Sequence, residues 1–218
     1  MKLITFSLWG VDPKYLIGAI KNAKLASEIY PEWVCRFYVA QSVPFSIIHE
    51  LNEMENVQVV EVPEFGDWRG MFWRFEAIDE EDVEVMISRD TDSRLNLREL
   101  AAVNEWLASE KKFHIMRDHP AHGFPILGGM WGIKSGAINN MKGLVRNYGQ
   151  QDAYGTDYKF LAEVVMPRVE KTALIHDEFF SGKNFPTARN GYEFVGQVFD
   201  ENDVTVEVHL QALKRALN

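Results

Sequence analysis

Two aspartates one residue apart, Asp90 and Asp92, close a short apolar run in Val85-Met86-Ile87-Ser88-Arg89-Asp90-Thr91-Asp92-Ser93-Arg94. Strand side chains alternate between faces, so positions i and i+2 point the same way. The spacing therefore puts both carboxylates on one side of the chain where it leaves a sheet. Two carboxylates that close repel unless a cation sits between them, which makes the pair a seat for Mg²⁺ or Mn²⁺. Arg89 and Arg94 flank the pair and suit an anionic ligand such as a diphosphate. A metal bridging the protein and nucleotide phosphates is the chemistry this stretch predicts.

Other uses of paired aspartates fit less well. A calcium loop needs D-x-[DN]-x-[DN]-G, but Arg94 and Leu95 stand at its fifth and sixth positions. A haloacid-dehalogenase-type phosphatase carries D-x-D on its first strand, followed two positions later by Thr or Val. Here the motif comes late and Arg94 follows it. A solvated turn with an N-cap aspartate is the bland alternative.

Strand and helix signals alternate around this motif. Lys2–Trp9 is β-rich and is closed by Gly10 and Pro13, and Lys14–Tyr30 has apolar residues at helical spacing until Pro31. Val34–Ala40, Val57–Val62, Val83–Ser88, Phe113–Met116, Ile126–Ile133 and Ala173–His176 read as further strands. Helices are expected over Phe45–Met54, Met71–Ile78, Ala137–Asn147, Asp157–Val165 and Val208–Ala216. Asn96 with Glu99 resembles a capping box that opens another, to about Ala108. Such alternation implies crossover units and a mainly parallel central sheet flanked by helices, an α/β class. Ligands bind beyond the carboxyl ends of such strands. Phe6–Gly10, Asp90–Arg94, Arg117–His119 and His176–Glu178 would all emerge there.

The 218 residues are 46% hydrophobic and 12% aromatic, enough for one well-buried core, and no linker or repeat divides them. A formal charge of −9 with no basic stripe argues against nucleic acid as a partner. The single cysteine, Cys35, excludes an intrachain disulfide framework and reads as a small buried hydrophobe. No apolar stretch approaches the roughly 20 residues of a membrane span. The opening segment is too short for a signal peptide, so a cytoplasmic location is expected.

With these motifs in order, the chain resembles the nucleotide-sugar-dependent glycosyltransferases of the GT-A (Rossmann-like) fold. The resemblance is carried by Met71-Phe72-Trp73-Arg74-Phe75, Ser88–Arg94, Arg117-Asp118-His119-Pro120, Ile126-Leu127-Gly128-Gly129-Met130-Trp131-Gly132, Tyr154-Gly155-Thr156-Asp157 and Ile175-His176-Asp177. It is similar to small glycosyltransferases of chloroviruses and of bacterial polysaccharide clusters, from about Lys2 to Val198. It implies a nucleotide-binding part over about 1–95, a sugar and acceptor part over about 96–198, and a tail over 199–218.

The resemblance assigns Asp90 and Asp92 to a metal held against the donor diphosphate, with His176 the best match for a third ligand. His209 is a weaker substitute and His114 reads as structural. An imidazole beside two carboxylates favours Mn²⁺ over Mg²⁺. Phe6, Ser7, Leu8 and Trp9 would receive the nucleoside, although Phe6 and Trp9 would serve equally as core. Thr91 belongs to the same donor-binding loop. Arg74 either contacts the D-x-D region or donor, or forms a buried salt bridge. Arg89, Arg94, Lys183 and Arg189 are cationic candidates for the phosphates. Gly128, Gly129 and Trp131 would border the donor sugar and acceptor, and Asp118 and His119 would grip sugar hydroxyls. Asp157 is expected beside the anomeric carbon, as general base if the enzyme inverts and as a sugar-steadying group if it retains. Retention is the expectation, because a late-histidine metal site is common among retaining members. The expected donor is a UDP-sugar and the acceptor a glycan. The alternatives are a sugar nucleotidyltransferase and a non-catalytic sugar-binding module.

Overall fold

β1 (Lys2–Leu8) is buried along all but its first residue, so both of its faces are covered. β2 (Val34–Val39) lies parallel on one side of it and β4 (Val85–Ser88) parallel on the other. β3 (Val57–Glu61), β5 (Phe113–Arg117), β6 (Trp131–Lys134) and β7 (Ala173–Asp177) complete a seven-stranded sheet in the order β3-β2-β1-β4-β6-β5-β7. β6 runs antiparallel to β4 and β5, and the remaining pairings are parallel. The carboxyl ends of β1, β4, β5 and β7 therefore share one edge of the sheet. The computed structural model describes residues 1–149 and 151–218.

Helices cover both faces, making a single α/β domain. α1 (Pro13–Ile29), α2 (Phe45–Asn52) and α3 (Leu97–Ala108) pack Leu16, Ile20, Leu51 and Trp106 against one face. On the other face Phe72, Phe75, Trp131 and Phe160 form a second apolar cluster. It is completed by α4 (Met141–Tyr148), α5 (Thr156–Phe160) and α6 (Met166–Val169), and α7 (Glu207–Leu217) ends the chain. Asp12 caps α1 by accepting from Lys14 N at 3.0 Å, with Pro13 at the first helical position. Among the described residues no helix is long and apolar enough to cross a membrane.

Four local expectations change. The helix expected over Met71–Ile78 is a 3₁₀ segment, Trp68–Asp79. Side chains three apart align in that geometry, so Phe72, Phe75 and Ile78 all enter the core while Met71 and Arg74 both reach a cavity. Of the expected Ile126–Ile133 strand only the part from Trp131 is extended, as β6, and Gly128 and Gly129 before it pack closely on Asp157 and Asp90 instead of pairing with a strand. The helix expected over Ala137–Asn147 starts later, at Met141, after Asn140 in the left-handed region at φ 63°. The Asp157–Val165 helix contains a π turn, Leu161–Val165, between α5 and α6.

Candidate active site

β4 ends at Ser88, and Asp90–Ser93 form a tight turn closed by Ser93 N and Ser93 Oγ, which donate to Asp90 O at 3.3 and 2.9 Å. The turn, rather than strand alternation, aims both carboxylates into one cavity. α1 holds this turn from behind. Asn22 Nδ2 donates to Thr91 O at 3.2 Å and Ser93 O at 2.8 Å, and its Oδ1 accepts from Leu95 N at 3.1 Å. A Cβ on Gly18 would stand 2.0 Å from Thr91 O, so the helix can approach this closely only without one.

Each aspartate faces a cation. Arg74 Nη1 donates to Asp90 Oδ1 and, at 2.6 Å, to Arg89 O. Lys14 Nζ lies 3.2 Å from Asp92 Oδ2. Burial pushes the Asp92 carboxyl above its ordinary range, and the charge of Asp90 adds to that against the opposing pull of Lys14. Two negative groups thus remain in mutual repulsion after each has gained a partner.

The cavity has a volume of about 580 Å³. Ser7, Leu8 and Trp9 at the end of β1 form one wall, with Asp12, Lys14 and Tyr15 at the start of α1. Asp90, Thr91 and Asp92 form its floor beside Arg74, and Trp68, Tyr154 and Tyr158 its outer rim. Ser7 Oγ is buried there without a protein partner.

Asp157 and the glycine pair sit directly behind. Asp157 Oδ2 is 3.8 Å from Arg74 Nη2, and the residue is fully buried. Burial, reinforced by the charge of Asp90 and opposed by Arg74, raises its pKa to about 6. A Cβ on Gly128 would stand 2.2 Å from Asp157 Oδ2, and one on Gly129 would stand 2.2 Å from Asp90 Oδ2. The backbone here passes between the two carboxylates, which only glycine permits.

The structure gathers Ser7, Leu8, Trp9, Arg74, Asp90, Thr91 and Asp92 around one cavity and places several other candidates elsewhere. Phe6 is core, stacked on Phe37 at 4.7 Å between ring centroids. Arg89 turns to the opposite face and pairs with buried Glu99 at 2.7 Å. Arg94 reaches Asp203 at 2.9 Å, away from the phosphate position expected of it. Trp131 is buried between Phe75 and Phe113 in the core, unavailable to a sugar. Asp118 is clasped by Arg98, Arg189 and Val195 N and has no open oxygen for catalysis. His119 Nε2 lies 2.9 Å from His209 O, with the ring against Phe194. Asp157, with no exposed atom, meets the site through Arg74 rather than directly.

His176 is the largest correction. It lies on β7, three strand spacings from β4, or roughly 14 Å. Its Nδ1 is 2.8 Å from His114 Nε2, and its Nε2 is 3.6 Å from Glu105 Oε1, where Lys183 also pairs. Neither His176 nor Lys183 can share a ligand with Asp90 and Asp92.

Sequence reasoning passed over Lys14, Tyr15, Gly18 and Asn22. Asp12-Pro13 marks a helix start directly after β1, and that signal places Lys14 beside whatever β1 delivers. Tyr158 follows Tyr154 by one helical turn, a spacing visible in the sequence but given no role.

Among the described residues no three His, Cys, Asp or Glu side chains gather as a metal cage. The residues present nonetheless fit a hard divalent cation that takes two carboxylates from the protein and its other oxygens from phosphates and water. With His176 elsewhere, the ground for preferring Mn²⁺ to Mg²⁺ is gone.

No protein-family model and no curated protein matches the chain. Its fold is the GT-A, nucleotidyltransferase-like α/β fold, as solved structures show at low identity. A glycosyltransferase involved in the glycosylation of the major capsid of PBCV-1 superposes with a TM-score of 0.54 at 16% identity, covering 81% of each chain. The 4-diphosphocytidyl-2C-methyl-D-erythritol synthase of Anaerococcus prevotii gives 0.55 at 8% identity, over 100% of this chain and 99% of that one. S. aureus TarS in complex with UDP gives 0.51 at 11% identity, over 82% and 58%.

Proposed function

We propose that the chain is a metal-dependent glycosyltransferase that takes a nucleoside diphosphate-sugar, with UDP-sugar the first donor to test, and glycosylates a glycan acceptor. The observation that carries this is the Asp90-Thr91-Asp92 turn opening into a cavity bordered by Ser7, Trp9, Lys14 and Arg74. Asp90 and Asp92 would hold Mg²⁺ or Mn²⁺, which when bound neutralises charge on the leaving nucleoside diphosphate. Lys14 and Arg74 balance the two carboxylates while the site is empty of donor and add positive potential beside the diphosphate. Ser7 stands in the wall where the nucleoside is expected, with its hydroxyl oxygen buried behind the cavity surface. Asp157 holds Arg74 at the cavity floor and so orients Asp90. The expectation of retention leaned on a histidine in the metal site, and His176 is not in it. Stereochemistry is therefore to be read from the anomeric configuration of the product.

A sugar nucleotidyltransferase is the second reading, favoured by the full-length superposition on the 4-diphosphocytidyl-2C-methyl-D-erythritol synthase. Against it, the loop after β1, Trp9-Gly10-Val11-Asp12, has no basic residue for a triphosphate. The sugar-binding module lacks a reason for the intact aspartate pair.

Thermal-shift titration with UDP, GDP, CDP and ADP, each with and without Mn²⁺ or Mg²⁺, tests the proposal. A ligand at 100 times its Kd stabilises by about 2.7 kcal/mol. Metal-dependent stabilisation by a nucleoside diphosphate that disappears in Asp92→Asn supports it, and indifference to every nucleotide refutes it. Release of pyrophosphate from a nucleoside triphosphate and a sugar 1-phosphate would instead favour the second reading.

A further inference from the structure

Aromatic rings form a continuous run from Trp9 in the donor cavity outward along the surface. Trp9 and Trp68 meet edge to face at 6.2 Å between ring centroids, and Trp68 meets Tyr154 at 5.2 Å. Tyr154 then meets Tyr158 at 6.0 Å, and Tyr158 meets Phe124 at 5.1 Å. Four separate segments supply these rings: the loop after β1, the 3₁₀ segment, the start of α5 with the residues before it, and the loop after β5. Tyr154 is 70% exposed, Phe124 47% and Trp68 37%. Single exposed apolar residues are ordinary, but a contiguous run beside a cavity marks a binding surface.

The direction of the run and its charge select the occupant. Trp68, Tyr154 and Tyr158 line the cavity whereas Phe124 lies outside it, so the run leads from the cavity out onto the exposed surface. A pyranose ring presents a face of weakly positive C–H groups that complements the negative face of an aromatic ring, with its hydroxyls left at the edge for water. The rim does not attract anions. Arg69, next to Trp68, is held by Asp67, Trp68 N donates to Asp152 at 3.1 Å, and the whole chain carries −9.

We infer that Trp68, Tyr154, Tyr158 and Phe124 form a stacking platform for neutral sugar residues of the acceptor, an inference that rests on the glycosyltransferase reading above. Glycan binding can be measured without turnover, so the two ideas fail separately. The full chain is titrated with maltotriose, cellotriose, chitotriose and a heparin-derived tetrasaccharide, followed by tryptophan fluorescence and saturation-transfer NMR. At least one neutral trisaccharide should bind saturably and more tightly than the heparin fragment. Tyr154→Ala and Phe124→Ala should weaken that binding about fivefold to tenfold, while Tyr154→Phe, which keeps the ring, should retain it. Both side chains are exposed, so unliganded melting temperatures of these variants check that the fold is kept. Failure of all three neutral trisaccharides to bind overturns the platform, as does binding unaffected by Tyr154→Ala or tighter binding of the heparin fragment. Loss of UDP–Mn²⁺ stabilisation in Tyr154→Ala without loss of glycan binding would give the ring to the nucleoside and also overturn it. Ring-dependent glycan binding with no response to any nucleotide would leave the platform standing and remove the transferase.

Discussion

Arg74 and Asp157 face each other across 3.8 Å, the guanidinium 3% exposed and the carboxylate not at all, while Arg74 also holds Asp90. One buried cation thus serves two carboxylates, and the one without solvent titrates near pH 6. Its ordinary value is 3.8. A raised carboxyl pKa means the folded state binds the proton more tightly than the unfolded state. This group therefore favours folding below pH 4, loses that contribution as pH rises from about 4 to 6, and strains the fold above. Asp157→Asn should remove that part of the pH dependence and leave the melting temperature at pH 7.5 equal or higher. The ceiling on the gain is roughly 3 kcal/mol, at about 1.4 kcal/mol per pKa unit. If the proposed function holds, transfer activity should fall in the same variant, because Arg74 would lose the carboxylate opposite Asp90. A melting temperature that drops sharply at pH 7.5 would show the ion pair to be net stabilising.

The glycine pair is sensitive for a steric reason. A Cβ on Gly129 would stand 2.2 Å from Asp90 Oδ2 and 2.9 Å from Asp90 N, and a side-chain rotation relieves only the first. Gly129→Ala should shift the backbone of the aspartate turn and abolish metal-dependent stabilisation by UDP. Overpacking of this kind costs about 1–3 kcal/mol, so the fold should persist. Circular dichroism and nucleotide thermal shift on the same sample separate the two effects.

The sequence announced β1, β2, β4 and α1 within a residue or two, because their apolar periods and the Asp12-Pro13 and Pro31 boundaries are local signals. It also brought Ser7, Asp90 and Asp92 to one place, since β1 and β4 are neighbours and their carboxyl ends share an edge. What it could not carry was distance along that edge. His176 follows an apolar strand as convincingly as Asp90 does, but β7 is inserted beyond β5, and strand order is a property of tertiary packing. Arg89 likewise flanks the motif in sequence and leaves it for Glu99, while Arg94 folds behind the turn, donating to the Thr91 and Ser93 carbonyls and pairing with Asp203 rather than facing the cavity. The 3₁₀ twist that brings Arg74 to Asp90 is set by aromatic packing rather than by propensity.

Behind the aspartate turn, Gly18 and Asn22 make α1 part of the site without touching a ligand. Gly18→Ala would place a methyl group 2.0 Å from Thr91 O, a backbone atom that cannot rotate away. Asn22→Ala would instead leave Leu95 N without its buried partner, at about 1–3 kcal/mol for an unsatisfied group, and leave the Thr91 and Ser93 carbonyls to Arg94 alone. Both variants should lower the denaturation midpoint and weaken UDP binding in the presence of Mn²⁺. A variant that loses stability yet binds UDP with unchanged affinity would show that the turn holds its shape without α1.

The last expectation concerns His114 and His176, which are fully buried at the far side of the sheet with one nitrogen of each 2.8 Å apart. Burial holds His114 well below its ordinary 6.5, and the neighbouring His176 and Arg89 push the same way. His176 is lowered as well, by burial before any charge. A histidine that stays neutral in the fold but charges when unfolded makes the unfolded state bind more protons. Stability from this pair is therefore fully present above pH 6.5 and falls as pH drops below it, the opposite slope to that of Asp157. His114→Gln keeps a hydrogen-bonding group against His176 and removes one titrating ring. Urea denaturation at half-unit steps from pH 7.5 to 4.5 should show a shallower acid loss in His114→Gln than in the parent chain. Parallel curves would mean that the acid sensitivity arises elsewhere, and His122, whose pKa burial lowers to about 3, would be the next ring to replace.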